Sequence, residues 1–139
     1  MNMKNIFLFA MLFFSTSAFT QNTTDYDEIS LEKATDYQVA EPSVLTAATY
    51  LLSTPFSSKD IQRTKSLRFV IKWMSGTPDY SFELDESVLK ITKGNDDFLG
   101  LYMAGMTKYC LENKNQANDK KLVKINAVIL LIKYCSDEI

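Results

Sequence analysis

The sequence predicts an all-α fold, a single small bundle of four to five helices built from αα-hairpins. Three observations predict it. Apolar residues recur at three- and four-residue spacing in several windows, the mark of amphipathic helices. Short breaks bearing Pro, Gly or Asn separate those windows. The one alternating stretch, Tyr80, Phe82 and Leu84, has no second strand to pair with. A short helical-repeat solenoid gives a similar pattern and ranks second, because no 34-residue period is visible.

The first twenty residues stand apart from this pattern. Lys4 precedes an unbroken apolar run, Ile6 to Phe14, and small and polar residues follow it from Ser15 to Thr20. That order is the order of a secretory signal peptide. Nine helical residues rise only about 14 Å, whereas a bilayer core needs about 20 residues, so the run is too short for an anchor. Ala18 and Thr20 place cleavage before Gln21, and Thr16 and Ala18 place it before Phe19. No cysteine occupies the cleavage region, so no lipid anchor is expected. The mature protein is expected in the periplasm or outside the cell.

Removal of residues 1–20 takes Lys4 with it. Fifteen bases become 14 against 17 acids, and the net charge moves from −2 to −3. No polyanion-binding balance results, so nucleic acid is not expected as a partner. The charge is unevenly placed: Asp25, Asp27, Glu28, Glu32, Asp36 and Glu41 face a single base, Lys33, before Pro42. This shift in composition marks residues 21–41 as an acidic leader, flexible or loosely docked, and 42–139 as the helical domain.

Within that domain the first helix is expected over about 42–53, with Pro42 in the first turn, where its missing N–H costs nothing. The second is expected over about 58–75. Ser57 caps it, Phe56 and Ile61 staple its start, and Gly76 with Pro78 stops it. Leu67, Val70, Ile71 and Met74 share its apolar face, with Phe69 and Trp73 beside them. A connector and a short helix near 85–93 follow, ending at Gly94. Asn95 or Asp96 caps a helix over about 96–113, where Gly100, Ala104 and Gly105 allow a neighbouring helix to come close. The last helix, about 119–135, contains AVILLI, apolar on every side. Such a helix is expected either at the centre of the core or under a partner, and either way Ile129 is expected to be buried and Ile129→Asp to be severely damaging.

Cys110 and Cys135 stand 25 residues apart, each in a KYC triplet. In an antiparallel hairpin the first lies near the loop and the second about 20 Å away, beyond the roughly 7 Å that a disulfide spans. Two free thiols on apolar faces are expected, and no disulfide.

The chain has no histidine. This removes the usual general base and the commonest metal ligand, and no Ser-His-Asp or Cys-His site can be assembled from it. No metal site or cofactor is expected. The distinctive cluster is WMSGTPDYSF, where Trp73, Asp79, Tyr80 and Phe82 are candidates to line a groove for peptide or glycan. The competing reading makes Trp73 core and Asp79 a turn cap, and it is favoured. Lys65, Arg68 and Lys72 form a basic stripe that suits docking of the acidic leader or of an acidic partner. Asp85 with Glu86, and Asp96 with Asp97, fit capping at helix starts better than acid–base work.

The expectation is an exported, non-catalytic helical protein acting by macromolecular binding or structural association, with a protein partner or a second copy. The alternative is a carboxylate-dependent hydrolase acting on glycans, which needs two acids about 5–10 Å apart in one pocket. Amino-terminal sequencing of native protein is expected to begin at Gln21 or Phe19. Soluble mature protein that keeps Met1 would overturn the assignment of an export signal.

Overall fold

The computed structural model describes residues 24–137, so the expected export signal at 1–20 lies outside the described residues. The architecture is an all-α bundle of five helices: α1 (Ala34–Ser53), α2 (Ile61–Gly76), α3 (Glu86–Ile91), α4 (Asp96–Glu112) and α5 (Lys120–Asp137). Two 3-10 turns, Tyr26–Glu28 and Lys114–Gln116, complete it, and the described residues contain no strand. Helix α4 packs against α1, α2 and α5, so it is the central element.

Polar side chains set the starts of four helices by accepting the orphan N–H groups of the first turn. Asp60 accepts from the Arg63 N–H at 3.0 Å. Asp85 accepts from Ser87 and Val88, Asn95 from Asp97 and Phe98, and Asp119 from Lys121 and Leu122. The second helix therefore starts at Ile61 and not near Ser58. That shift moves Ile61 to the first helical position, where it is exposed rather than stapled to Phe56. The Asp85 carboxyl is held well below the usual carboxylate range, first by Lys124 and then by the Ser87 hydroxyl and the helix-start N–H groups.

The composition boundary at Pro42 is not a structural boundary. Helix α1 begins eight residues earlier, at Ala34, and Pro42 lies inside it. Asp36 closes the start by accepting from the N–H groups of Lys33 and Glu32, both at 3.0 Å. The apolar residues hidden among the acids explain the difference. Tyr26 is buried and stacks on Phe69, with ring centroids 4.6 Å apart. Leu31 and Ala40 are buried in the same cluster. The expected leader, over residues 24–41, is thus part of the packed body: Tyr26, Leu31 and Ala40 are buried while Asp25, Asp27, Glu28 and Glu32 stay exposed, with largely buried Glu41 and exposed Val39 as the exceptions.

Two apolar clusters make the core. One joins α1 and α2 to the amino-terminal segment, around Val44, Phe69, Val70 and Trp73. The other joins α3, α4 and α5, around Val88, Tyr102, Met106 and Ala127. Leu52, Met74, Tyr80 and Phe82 pack against both clusters and join them into one body. Close approach between helices depends on small residues of α4. A Cβ on Gly105 would stand 3.2 Å from the Ala127 backbone of α5, tighter than ordinary van der Waals contact. One on Gly100 would meet the Leu67 side chain of α2 at 3.0 Å.

Gly105→Val is therefore expected to force α4 and α5 apart and to lower stability by about 1–3 kcal/mol, the usual cost of overpacking. Chemical denaturation measures it. An unchanged midpoint would mean that the two helices are not in backbone contact there.

Candidate functional site

The aromatic turn comes together, but as a wall of the core. Trp73 is fully buried, and its indole N–H donates to the Tyr37 carbonyl at 2.9 Å. The rings of Tyr80 and Phe82 lie 5.4 and 6.1 Å from it. The Tyr80 hydroxyl donates to Glu41 at 3.2 Å, and burial with this neighbouring carboxylate pushes Tyr80 up to about 12. Exposed Asp79 accepts from the Gln38 amide at 3.0 Å, which pins the turn to α1. The space beside Phe82 is only about 20 Å³, roughly the room of a single water molecule. Among the described residues, Trp73, Tyr80 and Phe82 pack on the core clusters rather than around an open space. Stacked rings with their polar atoms matched to α1 are better buried than exposed.

The basic stripe separates into different roles. Lys65 reaches the amino-terminal segment, with Asp25 at 3.2 Å and Asp27 at 3.7 Å. Arg68 and Lys72 are exposed and form no ion pair among the described residues. The contact with Lys65 is solvent-facing and contributes at most about 1 kcal/mol, so Tyr26 and Leu31 hold this segment more than charge does.

One residue with a large role escaped the sequence reading. Arg63, only 7% exposed, donates through Nη1 to the carbonyls of Leu51 at 3.0 Å and Thr54 at 3.1 Å. Its guanidinium lies 5.7 Å from the Phe56 ring centroid and 5.5 Å from that of Tyr134, within cation–π range. A cation in the first turn of a helix opposes that helix's own dipole. Arg63 is such a residue in α2, and that mismatch was the available signal that it serves another element.

Two adjoining clefts lie here, and this arginine lines the smaller one. The smaller, about 190 Å³, runs between the α1–α2 turn and the start of α4, with Arg63, Leu67 and Asp97 in its wall. The larger, about 410 Å³, is mainly apolar and reaches Phe98, Tyr134 and Cys135. Phe56, Asp97 and Leu101 line both. A third cleft, of about 330 Å³, lies between α1 and α5 and includes Lys108, Lys133 and Asp137. Each of these three clefts, and the small space by Phe82, is lined by a single carboxylate. The pair that carboxylate hydrolysis needs is not assembled in any of the four. Among the described residues no group of three or more Cys, Asp and Glu side chains could hold a metal ion.

The last helix corrects a further expectation. Ile129 is not buried: it is 55% exposed, with Ile125 at 43% and Ile132 at 60%. Val123, Ala127, Leu131 and Tyr134 form the buried face toward the rest of the bundle. The AVILLI stretch therefore has two apolar faces, and a bundle of this size covers only one. Half-buried Leu122 extends the outer face to positions 122, 125, 129 and 132. This 3-4-3 spacing is that of a coiled-coil seam. No helix among the described residues is long and apolar enough to cross a membrane.

The cysteines are both free. Cys110 is buried, with its Sγ 4.0 Å from the Ala117 carbonyl near the α4–α5 loop. Half-buried Cys135 borders the large cleft beside Asn95 and Phe98, at the other end of α4. Burial pushes the Cys110 thiol up to about 11, so it stays protonated and unreactive at neutral pH. Native protein treated with a thiol-alkylating reagent near pH 8 is expected to react first at Cys135, with Cys110 protected until unfolding. Peptide mass mapping over time reads the order, and equal rates at both sites would contradict the burial of Cys110.

Compared with known protein families, curated proteins and solved structures, the chain matches no family model, no curated protein and no solved structure.

Proposed function

We propose that this is an exported, non-catalytic helical protein that works by binding another protein through the outer face of α5. The observation that carries this reading is the exposed row Ile125, Ile129 and Ile132 on a helix whose other face is already packed. Apolar residues exposed singly are ordinary, but a contiguous row marks an interaction surface. A row at coiled-coil spacing suits an apolar helix laid along it. The order of residues in the first twenty positions supports export, which places that partner in the periplasm or outside the cell.

Charge favours a different protein over a second copy. Exposed Lys121 and Lys133 flank the row at its two ends, and neither forms an ion pair among the described residues. An antiparallel pairing of two copies brings Lys121 toward Lys133, and like charges across an interface oppose association. A partner helix with acidic flanks meets no such repulsion.

The test is Ile129→Asp in the full mature protein. An exposed substitution leaves stability within about 0.5 kcal/mol of the parent, so the melting curve is expected to be unchanged. Cross-linking in native periplasm is expected to recover one protein with the parent, to lose it with Ile129→Asp, and to keep it with Ile71→Asp on the exposed side of α2. Unchanged recovery with Ile129→Asp would overturn the assignment of this face. A mass that doubles with concentration in sedimentation equilibrium would replace the partner by a second copy.

A further inference from the structure

The cleft between the α1–α2 turn and the starts of α2 and α4 carries a second, independent feature. Arg63 is more than nine-tenths buried, and only its Nη1 has acceptors. Among the described residues, no acceptor meets its Nε–H or its Nη2–H groups, and no carboxylate forms an ion pair with the guanidinium. Nearby Asp60 is engaged elsewhere, accepting from the Tyr50 hydroxyl at 2.8 Å and from the Arg63 backbone N–H. The two flanking rings, the end of α1 and the nearby Asp60 carboxylate stabilise the charge, and Arg63 lines the small cleft with these N–H donors unused by the described residues.

Asp97 borders the same space. Its backbone N–H serves the helix start, while its carboxylate takes no hydrogen bond and no ion pair among the described residues. It lines both the small cleft that holds Arg63 and the larger apolar one. The wall of the small cleft thus offers a cation with unused donors and an exposed carboxylate without a partner among the described residues, and Asp97 also borders the adjoining apolar chamber of about 410 Å³. That volume lies within the usual range of small-molecule sites, roughly 300–1,000 Å³. A plain carboxylate would meet repulsion from Asp97, and a plain amine would meet repulsion from Arg63. A zwitterion with an apolar body meets neither.

We infer that this cleft binds a small apolar α-amino acid, with its carboxylate on Arg63, its ammonium on Asp97, and its side chain against Phe98, Leu101 and Tyr134. Arg63 supplies donors in a planar fork suited to a carboxylate. The site is separate from the outer α5 face and does not depend on it.

The experiment is an NMR titration of the mature protein with L-phenylalanine, 3-phenylpropionate and phenethylamine. L-Phenylalanine is expected to give saturable shifts at Asp97, Leu101 and Tyr134. Each singly charged analogue is expected to bind more weakly by roughly tenfold, the loss of one charge-assisted hydrogen bond. Arg63 variants also disturb the end of α1, so Asp97→Asn carries the test. Asp97 lies in the first turn of α4, where its charge complements the helix dipole, but Asn95 makes the cap, so Asp97→Asn is expected to leave the fold intact. Asp97→Asn is expected to abolish the preference for L-phenylalanine over 3-phenylpropionate while shifts at Leu101 and Tyr134 persist with both. Equal affinity of the three probes for the parent, a preference untouched by Asp97→Asn, or no saturable shift up to roughly millimolar ligand would each overturn the inference.

Discussion

Three helices meet at one backbone oxygen. The carbonyl of Thr54, at the end of α1, accepts from Arg63 of α2 and from the Tyr134 hydroxyl of α5 at 3.0 Å. The last carbonyls of any helix lack partners within it, and burying them unpaired is costly. Here a guanidinium and a phenol do that work, and in doing so they fix where the far end of α5 sits relative to the first hairpin. The cation also complements the negative end of α1.

Helix α4 imposes the second constraint. It must touch α1, α2 and α5 at once, and its small residues allow that. Gly105 admits the α5 backbone, Gly100 admits Leu67, and Ala104 is buried in the α1–α2 cluster. Contact on several sides leaves α4 little freedom to rotate, since each neighbour meets a different strip of its surface. Helix α5 packs mainly on α4 and only lightly on α1 in consequence. It completes the core with Val123, Ala127, Leu131 and Tyr134, and its remaining apolar side chains have nowhere inside to go.

Much of the fold was legible in the sequence, and the reasons differ by element. Helices α4 and α5 were legible because their starts carry local capping residues, Asn95 and Asp119, and their apolar spacing is dense. The start of α1 was not. Glu41 and its acidic neighbours suggested solvent, and only contacts with residues far along the chain, such as Tyr26 on Phe69, show the segment to be packed. Composition averages over a window, whereas burial is decided residue by residue. The candidate site was less legible still. Trp73, Tyr80 and Phe82 were recognised as a group, but whether grouped rings open a groove or fill a core depends on α1 lying across them. Arg63 did not stand out in the sequence, because its role depends on carbonyls nine and twelve residues earlier. The two-faced character of AVILLI was visible, and the bundle's size decided which face stayed outside.

Pro42 gives α1 an internal seam. A proline has no N–H, so the carbonyl of Gln38 loses its helical donor at the point where the acidic segment passes into the body. The residues before that seam are tied down by side chains: Trp73 on the Tyr37 carbonyl, Tyr80 on Glu41, Asp79 on Gln38, and Lys114 on Glu41 at 2.5 Å. The hydrogen-bond ladder does not run unbroken through α1, so the two halves need not melt as one unit. The first two turns take their tertiary ties from the aromatic turn and from a lysine beyond α4. Residues 34–41 are thus held to the bundle by long-range side-chain contacts as well as by the helix they begin.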